Sequence, residues 1–532
     1  MTLKVFIMSL SVMSLFLYSC NKDSSTALSK NRSGRVVASG MSLSGDYVER
    51  NNPELASLIN ELLAVKTSES LYKYLKKVDK NYETYTKAET KYYALQMSMM
   101  IPVKGIYWRL DGLFSSHFGD SRVDFTNTAQ NLYSALINRI AMFNDVFAGF
   151  SDSNHWKAGY DFLAEPSDAF TFNPVATTRD CVNAKYGSKK GRYYGGSFKT
   201  EEGFRGFLAC EYYPALIVAE KRLEALLSTT EIQAMEKSAQ FFAWDSRVVF
   251  GADSFRAEAG EDIDRIRKIT GGDVYALMAG VESMKASTES LLAYKLKGLV
   301  GIVNQAGFAI ASPGVRLLSG RRDGKWNAQK RTEIIRKHKD FLTAETSNFY
   351  GGDYKVWMKR SLASVEKWWQ YADKSKQTYE ATSEFFDHDD AQVALNPALI
   401  DFVGRSLNIT NNNIKDMIFN NESIVQSVSN GKKVRLKFRE IYTKPITDLK
   451  VYLPTSFKSK GKDERNFKSS VLKTKITYSD YLIGSSTMWN IKEYKKIFPK
   501  VKTKEDLREA ARLFGQSWGG VTGLTLLNQI FL

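Results

Sequence analysis

Residues 354–386 read YKVWMKRSLASVEKWWQYADKSKQTYEATSEFF, and this stretch gives the clearest indication of the fold. Its large apolar side chains, among them Trp357, Val365, Trp368 and Trp369, recur at helical spacing. An aromatic stripe with that spacing is typical of a helix that packs one face against a protein core. The stretch therefore predicts a long core helix.

The segments around this helix carry helix boundary signals of their own. Asp353 follows two glycines and is in position to cap the long helix. Asn52 and Pro53 have the order of an N-cap followed by the first helical residue. Thr86 and Glu89 have the spacing of a capping box, which predicts another helix start. Further helices are predicted at 131–147, 201–227 and 232–250.

The hydrophobic period changes from helical to alternating near residue 430. Three apolar residues alternate there with three cations: Val434, Leu436 and Phe438 with Arg435, Lys437 and Arg439. This alternation predicts a half-buried strand at 434–439, with further strands at 449–453 and 471–478. The predicted fold class is mainly α: a multi-helical globular body with a small antiparallel β-sheet near the C-terminus.

The same patterns predict how the chain is divided. We expect a signal peptide at 1–19, a flexible tether at 20–50, a helical body at 51–430, a small basic β-containing region at 431–485 and C-terminal helices at 486–532. Residues 21–50 are rich in Ser, Gly and Asn and show no hydrophobic period, which is typical of a linker.

The first twenty residues have the pattern of an export signal. Lys4 precedes a short run, Val5 to Leu17, that is apolar apart from three serines. This run is too short to span a bilayer, which needs roughly 20 apolar residues. Leu17-Tyr18-Ser19-Cys20 follows, and it resembles the lipobox of bacterial lipoproteins. The resemblance implies cleavage before Cys20 and acylation, for example with palmitate, of that cysteine.

The lipobox resemblance also implies a location in the cell envelope. Asn21 stands where an Asp would favour inner-membrane retention, so the outer membrane is expected if the host has one, in an envelope with a periplasm. Tyr18 departs from the small residue usual at its position. An ordinary secretory signal that happens to be followed by Cys20 is the alternative.

Three cysteines occur: Cys20, Cys181 and Cys210. If Cys20 is acylated, the other two are an even pair in an oxidising compartment, which predicts a Cys181–Cys210 disulfide. Two buried free thiols are the alternative.

The formal net charge of +17 favours anionic partners. Outside the cytoplasm these are anionic envelope polymers and lipid headgroups, and nucleic acid is not expected. Arg435, Lys437 and Arg439 are the candidate binding residues for such a partner. A solvated basic surface that only keeps the protein soluble is the alternative. The four histidines are far apart in sequence, and no metal site or cofactor is expected.

Two short motifs resemble those of hydrolases. Residues 515–519 read GQSWG and resemble the nucleophile elbow of the α/β-hydrolases, but no Asp, Glu or His follows Ser517. The block around Ser121 and the DSNH sequence that ends at His155 resemble two blocks of the GDSL esterases, at a much shorter separation than in that family. The sequence therefore predicts a lipid-anchored envelope protein with a binding or structural role and no catalytic residues. An esterase-like envelope serine hydrolase is the alternative.

Overall fold

The computed structural model describes eighteen segments and single positions of the chain. These are 52–106, 109, 158, 161–163, 165, 201–229, 242–244, 267–269, 271–295, 337–346, 352–382, 411–426, 433–452, 456–457, 487–488, 490–503, 506–507 and 510. The α-helices are α1 Pro53–Leu63, α2 Ser68–Lys80, α3 Ala88–Met99, α4 Glu201–Gly206, α5 Tyr213–Leu227, α6 Gly271–Leu292, α7 Tyr354–Thr382, α8 Asn411–Phe419, α9 Glu440–Thr443 and α10 Ile491–Tyr494. The strands are β1 Phe242–Trp244, β2 Arg267–Ile269, β3 Ser423–Gln426, β4 Lys433–Leu436, β5 Ser456–Phe457 and β6 Thr487–Met488.

Local side-chain chemistry fixes the starts of the first two helices. Asn52 Oδ1 accepts a hydrogen bond from Leu55 N at 3.1 Å, so the predicted cap of α1 is confirmed. A capping box that the sequence analysis missed opens α2. There Thr67 Oγ1 accepts from Ser70 N at 3.1 Å and Ser70 Oγ accepts from Thr67 N at 3.0 Å.

The predicted capping box at Thr86 and Glu89 is wrong, although the helix that it was expected to open is present. α3 begins at Ala88, its N-cap position is Lys87, and no side chain caps it there. Thr86 N instead donates a hydrogen bond to Glu54 Oε2 on α1 at 3.4 Å. The backbone N–H of Thr86 is therefore satisfied by a hydrogen bond to another helix rather than by a local cap.

A π-helical segment, Phe207–Tyr212, joins α4 to α5 and ends just before Pro214. Pro has no N–H to donate and its ring crowds the preceding turn, so a locally widened turn can accommodate it. Further along α5, Arg222 Nη1 pairs with Asp79 Oδ1 of α2 at 2.6 Å. This ion pair joins α5 to the N-terminal helices.

Helix α6 is the central element of the described helical body. Its side chains are buried on all faces, as expected of a helix that is surrounded by other elements. The long helix α7 packs along it, and α5 packs against it from another side. The Tyr213 and Trp357 rings meet edge to face at 5.5 Å between centroids, which joins α5 to α7 directly.

The long core helix predicted at 354–386 is confirmed as α7 over its described length. Asp353 Oδ1 accepts hydrogen bonds from Lys355 N at 2.9 Å and Val356 N at 3.1 Å, as the predicted cap requires. Trp357 and Trp369 are both buried, so the aromatic stripe is indeed core.

The small antiparallel sheet near the C-terminus is also confirmed. β3 pairs with β4 in the register Ser423↔Leu436 to Gln426↔Lys433. Burial alternates along β4, with Val434 and Leu436 inside and the two cations outside. The core beneath the sheet is shared with α7, α8 and the C-terminal residues: Trp369, Met417, Ile418, Val434, Leu436, Phe438, Tyr452, Tyr494, Ile497, Phe498, Val501, Leu507 and Ala510.

Other strand and helix predictions fail in detail. β4 ends at Leu436 instead of continuing to residue 439. The predicted strand at 449–453 is wrong, because Leu449–Tyr452 forms a 3₁₀-helix whose buried residues, Leu449 and Tyr452, lie three positions apart. β1 is a strand inside the helix predicted at 232–250. The predicted strand at 471–478 and the helix at 131–147 lie outside the described residues.

Candidate functional site

The three cations predicted to bind an anionic partner do not share one strand face. Arg435 lies on β4 and is exposed. Lys437 and Arg439 lie in the turn between β4 and α9, and both are half-buried. The two turn residues are less exposed than the strand residue, because the strand ends at Leu436 although the burial alternation continues through Phe438.

Carboxylates neutralise the two arginines. Arg435 Nη1 lies 2.5 Å from Glu422 Oε1, at the protein surface. Arg439 forms an ion pair with Glu366 of α7, and its Nη1 also donates to Ile418 O at 2.9 Å. Arg439 therefore ties the turn to both α7 and α8.

Lys437 is neutralised as well, through Glu440 at the start of α9. Its Nζ lies 3.3 Å from Glu440 Oε1, and Lys444 Nζ lies 3.4 Å from the same oxygen. Partial burial raises the pKa of Glu440, but hydrogen bonds from the two lysines outweigh it and lower that pKa below the usual value. Each of the three predicted binding cations thus already has a carboxylate partner within the protein.

A second basic feature, missed in the sequence, lies in residues 490–502, here called the lysine segment. Its apolar side chains point into the shared C-terminal core: Tyr494, Ile497, Phe498 and Val501. Its exposed residues are mainly lysines: Lys492, Lys495, Lys496, Lys500 and Lys502. The sequence did contain a signal for this segment: apolar residues three and four positions apart with lysines between them, which is typical of a half-buried helical segment.

The lysine segment carries more positive than negative charge. Lys496 pairs with Glu493 at 2.5 Å. Within the described part of the chain, Lys492, Lys495 and Lys500 form no ion pair. The segment therefore differs from the turn around Arg439, where every cation is matched.

A buried ion cluster joins the three helices of the body. It consists of Glu220 on α5, Glu282 and Lys285 on α6, and Lys367 on α7. Lys285 Nζ lies 2.5 Å from Glu220 Oε2 and 3.1 Å from Glu282 Oε2. Lys367 forms an ion pair with Glu220 and lies 3.8 Å from Glu282 Oε1. The Glu282 side chain is fully buried, whereas that of Lys367 is 40% exposed, so the cluster runs from the core toward the surface.

The two carboxyl groups of the ion cluster have opposite pKa shifts. Burial and a hydrogen bond with Glu220 raise the pKa of Glu282 to about 8, against the attraction of Lys285. Burial also acts to raise the pKa of Glu220, but hydrogen bonds from Glu282, Lys285 and Lys367 lower it overall. Of the two carboxyl groups, Glu282 is therefore the one that retains a proton to higher pH.

Another buried carboxyl group, that of Glu289, lies two turns beyond Glu282 along α6. Glu289 Oε1 accepts a hydrogen bond from Tyr213 OH at 2.6 Å, and Glu289 Oε2 accepts one from Ser364 Oγ at 2.8 Å. Burial raises the pKa of Glu289, although these two hydrogen bonds act to lower it. The Glu289 carboxyl group therefore connects α5, α6 and α7. The ion cluster connects the same three helices.

The remaining predicted sites lie mostly outside the described residues. Cys20 and Cys181 do so, and so do Ser121, His155 and Ser517 of the two hydrolase-like motifs. Cys210 is buried on the π-helical segment and is disulfide-bonded. Its pairing with Cys181 stays a prediction.

Among the described residues, no group of three or more His, Cys, Asp or Glu side chains is arranged to hold a metal ion. None of the helices described combines the length and the hydropathy needed to cross a membrane.

Comparison of the chain with protein-family models, with curated proteins and with solved structures gave no match.

Proposed function

We propose that the protein is a lipid-anchored component of the cell envelope, with a binding or structural role. The observation that carries this proposal is the sequence Leu17-Tyr18-Ser19-Cys20 behind a short apolar run. The proposal places two or more acyl chains on Cys20, because a single chain gives only marginal and reversible membrane binding. Residues 21–50 then tether the helical body to the membrane.

The charge distribution supports a partner that is anionic. The cations of the ion cluster and of the turn around Arg439 already have carboxylate partners within the protein, so they are less available to a partner. The lysine segment is exposed and keeps unmatched charge, which favours anionic envelope polymers or lipid headgroups. A binding or structural role requires an exposed surface and no catalytic site. The described helical body provides a rigid support for such a surface.

The anchoring proposal predicts that Cys20→Ala removes the protein from the membrane fraction. Radiolabelled palmitate should enter the parent chain and not this variant, because the thiol is the acylated group. Asn21→Asp is the matched control, because it changes the neighbouring residue and keeps the thiol. It should remain labelled and should move toward the inner membrane in a host that has two membranes. Unchanged labelling and detergent partitioning of Cys20→Ala would rule out the anchor.

A serine hydrolase of the envelope is the second candidate. It rests on Ser121 with His155, and less directly on Ser517. A serine-reactive fluorophosphonate probe separates the two classes. The binding proposal predicts no stoichiometric labelling, whereas labelling that disappears in Ser121→Ala would establish a nucleophile and overturn a purely binding role.

A further inference from the structure

The lysine segment is held rigidly on the C-terminal core. Tyr494 OH donates a hydrogen bond to Tyr452 O at 2.7 Å, and the two rings meet at 5.1 Å between centroids. Lys437 N donates to Ile497 O at 2.8 Å, which fixes the segment beside the end of β4. A partner that binds the exposed lysines therefore does not have to order the backbone that carries them.

The charges on the exposed face of the lysine segment are positive. Lys492, Lys495 and Lys500 lie on it within nine residues and form no ion pair in the described structure. Glu493 is the acid within the segment, and Lys496 occupies it at 2.5 Å. Clustered like charges repel each other, and an anionic surface would relieve that repulsion.

We propose that the lysine segment lies against the anionic headgroups of the membrane to which the lipid anchor holds the protein. This inference rests on the proposed function, since it requires the chain to be kept near a bilayer. Each lysine close to an anionic leaflet contributes a factor of about five in binding, which corresponds to about 1 kcal/mol. Acyl chains and a basic patch together are a recognised combination of membrane signals.

A lipid surface fits the segment better than a soluble polymer does. The tether predicted from the sequence would, as a random coil of about 30 residues, reach on the order of 30 Å, which would keep the anchored protein near the headgroups. Tethering raises the effective concentration of the bilayer at the lysine segment, so weak individual contacts are sufficient. The arrangement also orients the molecule, with the C-terminal core facing the membrane.

The test uses the processed chain without its acylated cysteine, residues 21–532, so that binding does not depend on the anchor. Its partitioning is measured by co-sedimentation with vesicles of phosphatidylglycerol and phosphatidylcholine, and with vesicles of phosphatidylcholine alone. We expect binding to the first only, weakening steeply as salt rises through about 0.15 M, where the Debye length is about 8 Å.

A triple variant, Lys492→Gln with Lys495→Gln and Lys500→Gln, should partition roughly 100-fold more weakly than the parent. The matched control replaces Lys66, Lys221 and Lys359, which are exposed on the helical body, by Gln and removes the same net charge. It should change binding by less than about threefold, because those lysines are spread over separate elements. Single replacements should each cost about fivefold. They provide the test if the triple variant folds poorly by circular dichroism.

Three outcomes would overturn the inference. One is the same loss of vesicle binding in the triple variant and its control, which would indicate a general charge effect. Another is unchanged vesicle binding in the triple variant. The third is binding to a soluble acidic polymer such as polyglutamate with no binding to the anionic vesicles. The palmitate labelling of the parent and of Cys20→Ala tests the lipid anchor independently of vesicle binding. Failure of the proposed membrane contact and failure of the proposed function are therefore distinguishable.

Discussion

The ion cluster and the lysine segment contain similar side chains, and the structure uses them in opposite ways. In the ion cluster two lysines and two glutamates meet within hydrogen-bonding distance inside the helical body. In the lysine segment five lysines are exposed, and Lys492, Lys495 and Lys500 among them form no ion pair in the described residues. The difference shows that net charge alone does not locate a binding surface. What matters is which cations the fold leaves unmatched.

The first prediction concerns the buried side of this comparison and has the largest expected effect. Lys285→Met leaves Glu282 and Glu220 buried with one of their two cations removed. We expect the free energy of unfolding to fall by about 3 kcal/mol, because the buried Glu220 carboxylate loses one of its two cations and the hydrogen bond from Lys285. Lys496→Met is the control and should cost less than about 1 kcal/mol, because its pair with Glu493 is at the surface. Denaturant unfolding measures both, and equal effects would contradict the contrast.

The second prediction is a pH dependence that the ion cluster imposes on stability. The pKa of Glu282 is raised from the ordinary glutamate value of 4.5 to about 8, so the folded chain holds a proton there that the unfolded chain has lost. This contribution is fully present below the unfolded pKa and is lost as the pH rises through the folded pKa. The free energy of unfolding should therefore fall as the pH rises from about 5 to about 8.

Glu282→Gln isolates that effect. The amide keeps a donor toward Glu220 and cannot ionise, so the fall in the free energy of unfolding should be absent from the variant. The difference in stability between parent and variant should therefore change across this pH range. The charged and titratable groups around Glu282 are unchanged in the variant: Glu220 and Glu224 on α5, Lys285 on α6, and Lys367 and Tyr371 on α7. Parallel pH profiles for the two proteins would show that Glu282 is not the titrating group.

The third prediction separates the cations around β4 and has the smallest effects. Arg439→Gln should lower the free energy of unfolding by about 1–2 kcal/mol, because Arg439 bonds both Glu366 and Ile418 O in a half-buried position. Arg435→Gln should cost about 0.5 kcal/mol or less, because its pair with Glu422 is exposed. Neither should weaken binding to anionic vesicles as much as the lysine-segment variant does. If both arginine variants are equally stable, the structural role given to Arg439 is wrong.

The features that sequence could predict are those set by neighbouring residues. The side chains of Asn52 and Asp353 cap backbone N–H groups two or three positions further along the chain, and both caps are confirmed. The long helix α7 and the burial alternation along β4 follow from hydrophobic period alone. The predicted strand at 449–453 is wrong. Apolar residues at alternate positions suggested a strand, but the buried residues, Leu449 and Tyr452, are three positions apart, which suits a 3₁₀-helix.

The charge partners were not predictable, because they come from distant parts of the chain. Glu366 and Arg439 are 73 residues apart in sequence, and Lys285 and Glu220 are 65 apart. The alternation at β4 marked Arg439 as solvent-facing, yet tertiary packing gave it a carboxylate from α7. A local signal for the ion cluster did exist: Glu282, Lys285 and Glu289 are charged residues on an otherwise apolar helix, spaced to share a face.

Mass spectrometry of the N-terminal peptide, taken from protein extracted from its native membrane, tests the central claim most directly. The account predicts that the mature chain begins at Cys20 and that its thiol carries a diacylglycerol in thioether linkage. An unmodified Cys20, or a mature chain that begins elsewhere, would contradict the lipid anchor and, with it, the proposed membrane contact of the lysine segment.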